Sequence, residues 1–452
     1  MDSMLFALGR SLGIPVMLTA VVLASLLHGQ TAAHEKNGRS SSTPASASEL
    51  DRDIDERRFP ALEKRLADPN LTSIERSYFR GVVEDRRNHP EAAIADLEPI
   101  LPALRNSHPH RAAVALRALA TDYFMLGRYQ ESVAAYSELL HRFPNELSKS
   151  AKRVCEDNLH TFELLRGAPP QTISGTPAFT VPLKQDPIGD IDVPVQIGKS
   201  TEWWIFDTGA NESTITASTA KRLGLKVSQG KATTQGSAGA EVPLKTAIIP
   251  ELKFGASVIH NVVALVVDDR SLNLDLGKQG RYQIEGILGY PVLLALGSFT
   301  VLESEIRVAP ESEPSPRSSS LYTEELTPLL QVSVQGRDLL LVFDTGASST
   351  HFNARYVREF PRQFVTAKTT TICLAGAGGR KCVQSYDLPR AELSLGEAQL
   401  TLQDVPSLRE SMGTDLFDSV YGNAGGTLLN SFKTYTIDFR NMRFIAGELQ
   451  NE

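Results

Sequence analysis

Cysteine is scarce in this chain, with three in 452 residues: too few for a disulfide framework, though enough for one bridge. The nine histidines are scattered, and neither His-x-x-x-His nor Cys-x-x-Cys occurs, which removes the usual zinc patterns; nothing has the form of a phosphate-cradling loop either. No cofactor or metal is expected. Basic residues are not in excess: 46 Lys and Arg stand against 53 Asp and Glu, a net charge of −7, so the composition offers no footprint for nucleic acid. Long apolar runs are also missing. The longest, residues 16–27, falls short of the roughly 20 residues a membrane span needs. What remains is a chain that is 41% hydrophobic and 22% charged, a soluble globular composition with room for about three domains.

The apolar run follows Arg10 and is followed by the small residues Thr31-Ala32-Ala33. Residues 1–33 therefore read as a signal peptide, cleaved or retained as an anchor, and either reading exports the rest of the chain to a periplasmic, secreted or membrane-anchored extracytoplasmic location. A membrane is a partner only if the segment is uncleaved. Residues 34–48, rich in Ser and Ala, read as a flexible linker.

Residues 49–166 carry a helical pattern. Leu116, Leu119, Tyr123 and Leu126 recur at helix spacing; Gly127 interrupts, and Tyr129, Val133, Tyr136 and Leu140 resume. The spacing resembles a tetratricopeptide repeat, with one good unit, one degenerate unit before it and a closing helix over residues 147–165. Such a region either packs on its neighbour as a plain bundle or offers a concave surface to a protein partner; fewer than three clear repeats favour the bundle. Cys155 reads as a buried small hydrophobe.

After Gly167-Ala168-Pro169-Pro170 the pattern turns to short strands with Gly and Pro punctuation. It runs twice, over residues 171–308 and 321–449, separated by a Ser/Pro/Glu-rich linker at 309–320. In each copy an apolar strand delivers an aspartate into Thr-Gly-Ala: Trp203-Trp204-Ile205-Phe206-Asp207-Thr208-Gly209-Ala210 and Leu339-Leu340-Leu341-Val342-Phe343-Asp344-Thr345-Gly346-Ala347. A glycine tip follows each, Gly236-Ser237-Ala238-Gly239 and Gly376-Ala377-Gly378-Gly379, and equivalent points keep a spacing of 136 to 141 residues. One Asp-Thr-Gly triplet is expected by chance in roughly one such chain in ten; two, each after an apolar strand and each followed by Ala, are a strong signal.

These motifs resemble the retropepsin-like aspartic proteases. The resemblance implies a multidomain α + β chain: an all-α, tetratricopeptide-like region, then two all-β domains of acid-protease type forming a bilobal unit about a pseudo-two-fold axis. It implies an exported aspartic endopeptidase with a polypeptide substrate, in which Asp207 and Asp344 share a proton and activate a water. Thr208 and Thr345 would brace the two loops, Gly209 and Gly346 would allow the turns, and the glycine tips would be flaps. Ala210 and Ala347 stand where the family often has serine, so a hydroxyl that could stabilise a carboxylate is gone. Two departures count against activity. Asn423-Ala424-Gly425 replaces the apolar pair seen in Ile287-Leu288-Gly289, and His351 stands where the first copy has Thr214, a position read as packing. The rival reading is a catalytically silent peptide-binding or adaptor protein on the same scaffold. Cys373 and Cys382 lie symmetrically about the second tip, where cross-strand partners would face each other: a disulfide, or two free thiols.

Overall fold

The structure, a computed structural model, describes residues 16–18, 46–235, 241–276, 280–376 and 379–450. Of residues 1–33 it describes only the strand Val16–Leu18, which lies parallel to Cys373–Ala375. No helix among the described residues is long and apolar enough to cross a membrane.

Helices occupy residues 47–163. The first begins at Ala47, inside the stretch read as flexible linker, because Ser46 and Glu49 close a capping box over its free N–H groups. Helices Ser73–Arg86 and Pro90–Leu97 pack as one pair and Pro109–Met125 and Tyr129–Arg142 as the next, with Lys149–Glu163 against the last. Leu97, Leu116, Leu119, Tyr136 and Phe162 are buried between them, and Phe124 stacks on Phe162 at 4.2 Å.

From Thr172 onward the chain is β-rich. In Ile191–Ile197 the side chains of Val193, Val195 and Ile197 turn inward, the two-residue alternation of a half-buried strand. Gly198, at φ +59°, makes the tight turn into Ser200–Phe206, a left-handed conformation that a side chain would strain. The second copy repeats the hairpin with Thr327–Val334 and Arg337–Phe343. Glu241–Phe254 forms one long strand. Short helices Ala217–Arg222, Tyr290–Leu296, Ala354–Glu359, Asp415–Ser419 and Gly426–Leu429 interrupt the strands and were not expected.

A six-strand arrangement joins the two copies. Its order is Phe179–Pro182, Glu305–Ala309, Ser298–Val301, then Tyr435–Asp438, Arg443–Ala446, Ser318–Glu324, so strands of the second copy follow those of the first in mirrored order. At the centre Thr300 pairs with Thr436, and their hydroxyl oxygens lie 2.9 Å apart. The stretch read as a loose linker at 309–320 is tied down. Ser318–Ser320 already belong to a strand, and the Ser312 hydroxyl donates to Asp438 Oδ2 at 2.6 Å.

The helices dock on the second copy through charge. Glu324 is buried and receives Arg57 Nε at 3.0 Å and Arg57 Nη2 at 3.1 Å, with Arg86 Nη2 at 3.7 Å. Burial alone would lift this carboxyl, but Arg57, Arg86 and Arg117 reverse that and hold it at about 2. Beside it Arg117 Nε donates to Glu325 Oε1 at 2.8 Å, and Arg87 lies over the ring of Tyr322 at 4.3 Å.

Candidate active site

Asp207 ends the strand Ser200–Phe206 and Asp344 ends Arg337–Phe343. Both strands are supported from below in the same way. Ile287 and Leu288 run parallel to Ile205 and Phe206, and the Asp207 N–H donates to the Leu288 carbonyl at 3.2 Å. Asn423 and Ala424 run parallel to Val342 and Phe343, and the Asp344 N–H donates to the Ala424 carbonyl at 3.1 Å. The loss of the apolar pair at Asn423-Ala424 therefore leaves the backbone support of Asp344 intact, because that support is made by peptide groups.

The two loops interlock. Thr208 N–H donates to Thr345 Oγ1 at 3.0 Å and Thr345 N–H to Thr208 Oγ1 at 3.0 Å; the hydroxyls donate onward to the carbonyls of Phe343 at 2.8 Å and Phe206 at 2.7 Å. All four bonds cross between the copies and all are buried. Within each loop the glycine N–H holds its own aspartate, Gly209 to Asp207 Oδ1 at 2.7 Å and Gly346 to Asp344 Oδ1 at 3.0 Å. A Cβ on Gly209 would lie 2.5 Å from Cγ of Asp344, and one on Gly346 would lie 2.4 Å from Cγ of Asp207. The glycines are thus required by the approach of the opposite carboxylate, and neither has a positive φ, so the turn-based reason expected from sequence does not apply. Ala210 and Ala347 are buried behind their loops.

The carboxyls are buried at 2% and 1% exposure, each beside the glycine of the opposite loop. Burial raises the proton affinity of Asp207, opposed by the Gly209 N–H; burial raises that of Asp344 well above the ordinary range, and the charges of Asp207 and then Asp190 add to it. Such a pair takes up one proton at a pH where a free aspartate would hold none.

Two further buried carboxyls, one of them coupled by charge to both aspartates, were not singled out by sequence reasoning. Asp190 is 1% exposed, neither of its oxygens has a hydrogen-bond partner, and burial, then Asp186, Asp207 and Asp192, push it up to about 9. Glu212, five residues after Asp207, is raised to about 7 by burial alone. Asp190, set between Ile188-Gly189 and Ile191, offered a weak signal; Glu212, between Asn211 and Ser213, offered none. Among the described residues no cluster of His, Cys, Asp and Glu has the form of a metal site.

His351 pairs with Asn423 across the strand where Thr214 pairs with Ile287 in the first copy. Its ring is buried and its proton affinity is lowered by burial to about 4; it packs away from solvent as a neutral imidazole. Cys373 and Cys382 face each other in register and are joined by a disulfide, S–S 1.99 Å, and Cys155 is buried and free. Of the glycine tips, Gly376 pairs with Gly379 at the end of a hairpin; Gly236, Ser237, Ala238, Gly239, Ala377 and Gly378 lie outside the described residues.

A family model for aspartyl proteases matches residues 193–292, a span that includes Asp207 and its Ile287-Leu288 support. No curated protein matches the chain. Among solved structures, a retropepsin-like aspartic protease from Rickettsia conorii is similar at 18% identity over 28% of this chain and 98% of its own, with a TM-score of 0.22. The family match supports a peptidase of the aspartyl-protease type.

Proposed function

We propose that this chain is an exported aspartic endopeptidase whose two β-rich copies form one bilobal unit about a pseudo-two-fold axis, with Asp207 and Asp344 as a single-chain dyad. The observation that carries the reading is the reciprocal bracing of the two loops, in which each threonine bonds the opposite backbone and each glycine faces the opposite carboxyl. A peptide-binding groove has no need of two buried aspartates pressed together, since burying like charges is costly. Hydrolysis uses the cost. With one proton between them, the ionised carboxylate takes a proton from water as it attacks the peptide carbon, while the protonated partner hydrogen-bonds the carbonyl oxygen and stabilises the charge that develops there. The amine leaves after taking a proton back from the pair, which returns to its starting state.

The raised proton affinity of both groups keeps the one-proton state populated towards neutral pH, so activity should extend well above the acid range of an unperturbed carboxylate. The Cys373–Cys382 bridge supports export, because such bonds persist in oxidising compartments. The helix pairs support the tetratricopeptide-like reading of residues 49–166. The test is hydrolysis of a diverse peptide pool by residues 34–452 from pH 3 to 8, for the parent protein and for Asp207→Asn and Asp344→Asn. Loss of hydrolysis in both variants, with fold retained, is the expected result. Full activity in Asp344→Asn would overturn the single-chain dyad, and an inactive parent that still binds peptides would leave the silent binding module.

A further inference from the structure

Beside the Asp207 loop the helical region meets both copies. A cavity of ≈ 110 Å³ is lined by Gly209 and Glu212 of the first copy, Val342 and Phe417 of the second, and Val154 and Asn158 of helix Lys149–Glu163, room for several water-sized groups. The same helix packs on the strands Val227–Gln235 and Glu241–Phe254, and Ser148 and Ser150 donate to Asp415 at 2.7 and 2.8 Å. The loop itself is held to the docking turn, Asn211 Nδ2 donating to the Glu325 carbonyl at 3.3 Å. The helical region thus forms the outer wall of the space beside Gly209.

The chemistry of that space is set by Glu212. It is 9% exposed, and among the described residues no hydrogen bond or ion pair reaches its carboxyl. The other charged groups of the lining are engaged: Arg117 with Glu325 at 2.8 Å, Asp415 with the two serines, and Asp157 in a polar contact of its own. An unpartnered buried carboxyl opening on a cavity is costly when empty and is relieved by a cation.

We infer that this cavity is a closed end of the substrate cleft, walled by helix Lys149–Glu163, which receives a positively charged group of the peptide on Glu212. Two groups share that chemistry, the α-ammonium of a chain start and the side chain of Lys or Arg. The inference rests on the peptidase reading for its substrate class, and it is tested by binding so that the two fail separately. The elevated proton affinity of Glu212, with burial as its cause, agrees with a carboxyl awaiting a cation.

The full chain carrying Asp207→Asn is presented with three pools of randomised octapeptides lacking Lys, Arg and His: one N-acetylated, one with free amino termini, and one N-acetylated with a single added Lys. Retention of at least one cationic pool about tenfold over the neutral one is expected, the value of one charge-assisted bond; whichever is retained identifies the source of the cation. Adding Glu212→Gln should abolish the preference, and adding Val154→Trp, which fills the cavity from the helix side, should reduce retention of the cationic pool. Equal retention of the three pools, no retention of any, or a preference unchanged by Glu212→Gln overturns the inference. Hydrolysis by the parent protein without such a preference would sink the inference alone; the preference without hydrolysis would sink the peptidase reading alone.

Discussion

Replacing Thr345 by valine removes one hydroxyl and nothing else of consequence, since valine keeps the shape. That hydroxyl accepts from the Thr208 N–H at 3.0 Å and donates to the Phe206 carbonyl at 2.7 Å. Each bond contributes about 1 kcal/mol net, and each buried group left unpaired adds part of its desolvation cost of about 1–3 kcal/mol. The expected loss is therefore about 2–4 kcal/mol. Thr208→Val removes the mirror pair, the bonds from the Thr345 N–H at 3.0 Å and to the Phe343 carbonyl at 2.8 Å, and should cost the same within about 1 kcal/mol. Urea unfolding followed by tryptophan fluorescence reads both, with Trp204 buried in the first copy. The midpoint should fall without a change of slope. Activity should fall further than stability, because the bonds position both aspartates at once. A loss below about 0.5 kcal/mol for one threonine and the full amount for the other would refute the reciprocal bracing, and with it the equivalence of the two halves.

Thermal stability should fall as pH rises from 5 to 9. Asp190, Glu212 and Asp192 are raised by burial to about 9, about 7 and about 6; a raised carboxyl contributes stability below its unfolded value and loses it as pH climbs through its folded one. Glu324, lowered to about 2, works the other way and is lost only in stronger acid. A Tm at pH 9 no lower than at pH 5, against an expected drop of about 5 °C or more, would show that these groups are not buried as described. Glu324→Gln strands Arg57 and Arg86 beside a neutral group and should cost about 3–5 kcal/mol. In calorimetry it should appear as a separate, earlier melting of the helical region; a single unshifted transition would count against charge-based docking. Converting His351 and Asn423 to the threonine and isoleucine of the first copy removes four buried polar atoms that lack hydrogen-bond partners. The double variant should gain about 1–3 kcal/mol in urea unfolding, and a loss would mean that these atoms are used.

Much of the site was legible before any coordinates. The short strands with Gly and Pro punctuation and the apolar runs into Asp207 and Asp344 are local properties, set by side-chain period and turn chemistry within a few residues. The duplication extended that local reading. Once two equal loops stand in one chain, symmetry brings their equivalent points together, as the interlock of Thr208 with Thr345 shows. Even so, the reason for Gly209 and Gly346 was read wrongly, since a turn is visible in one strand of text and the approach of a second loop is not.

Tertiary structure decided the rest. The strands 298–301 and 435–438 pair across 136 residues of sequence, and no pattern within either announces its partner. Glu324 gathers arginines from positions 57, 86 and 117; each alone reads as a solvated surface charge, and only their convergence makes a buried, ionised anchor. Asp190 and Glu212 looked like ordinary polar loop residues until burial removed their water and, for Asp190, brought its charge to bear on Asp207 and Asp344. What the sequence by itself determined is the division into a helical and a β-rich region and the two Asp-Thr-Gly-Ala loops, because hydrogen bonding and side-chain period act between neighbours. Which charges lose their solvent, and which helix walls the cavity beside Gly209, depended on packing between distant segments, because desolvation and Coulomb energy are set by distance in space and carry no trace along the chain.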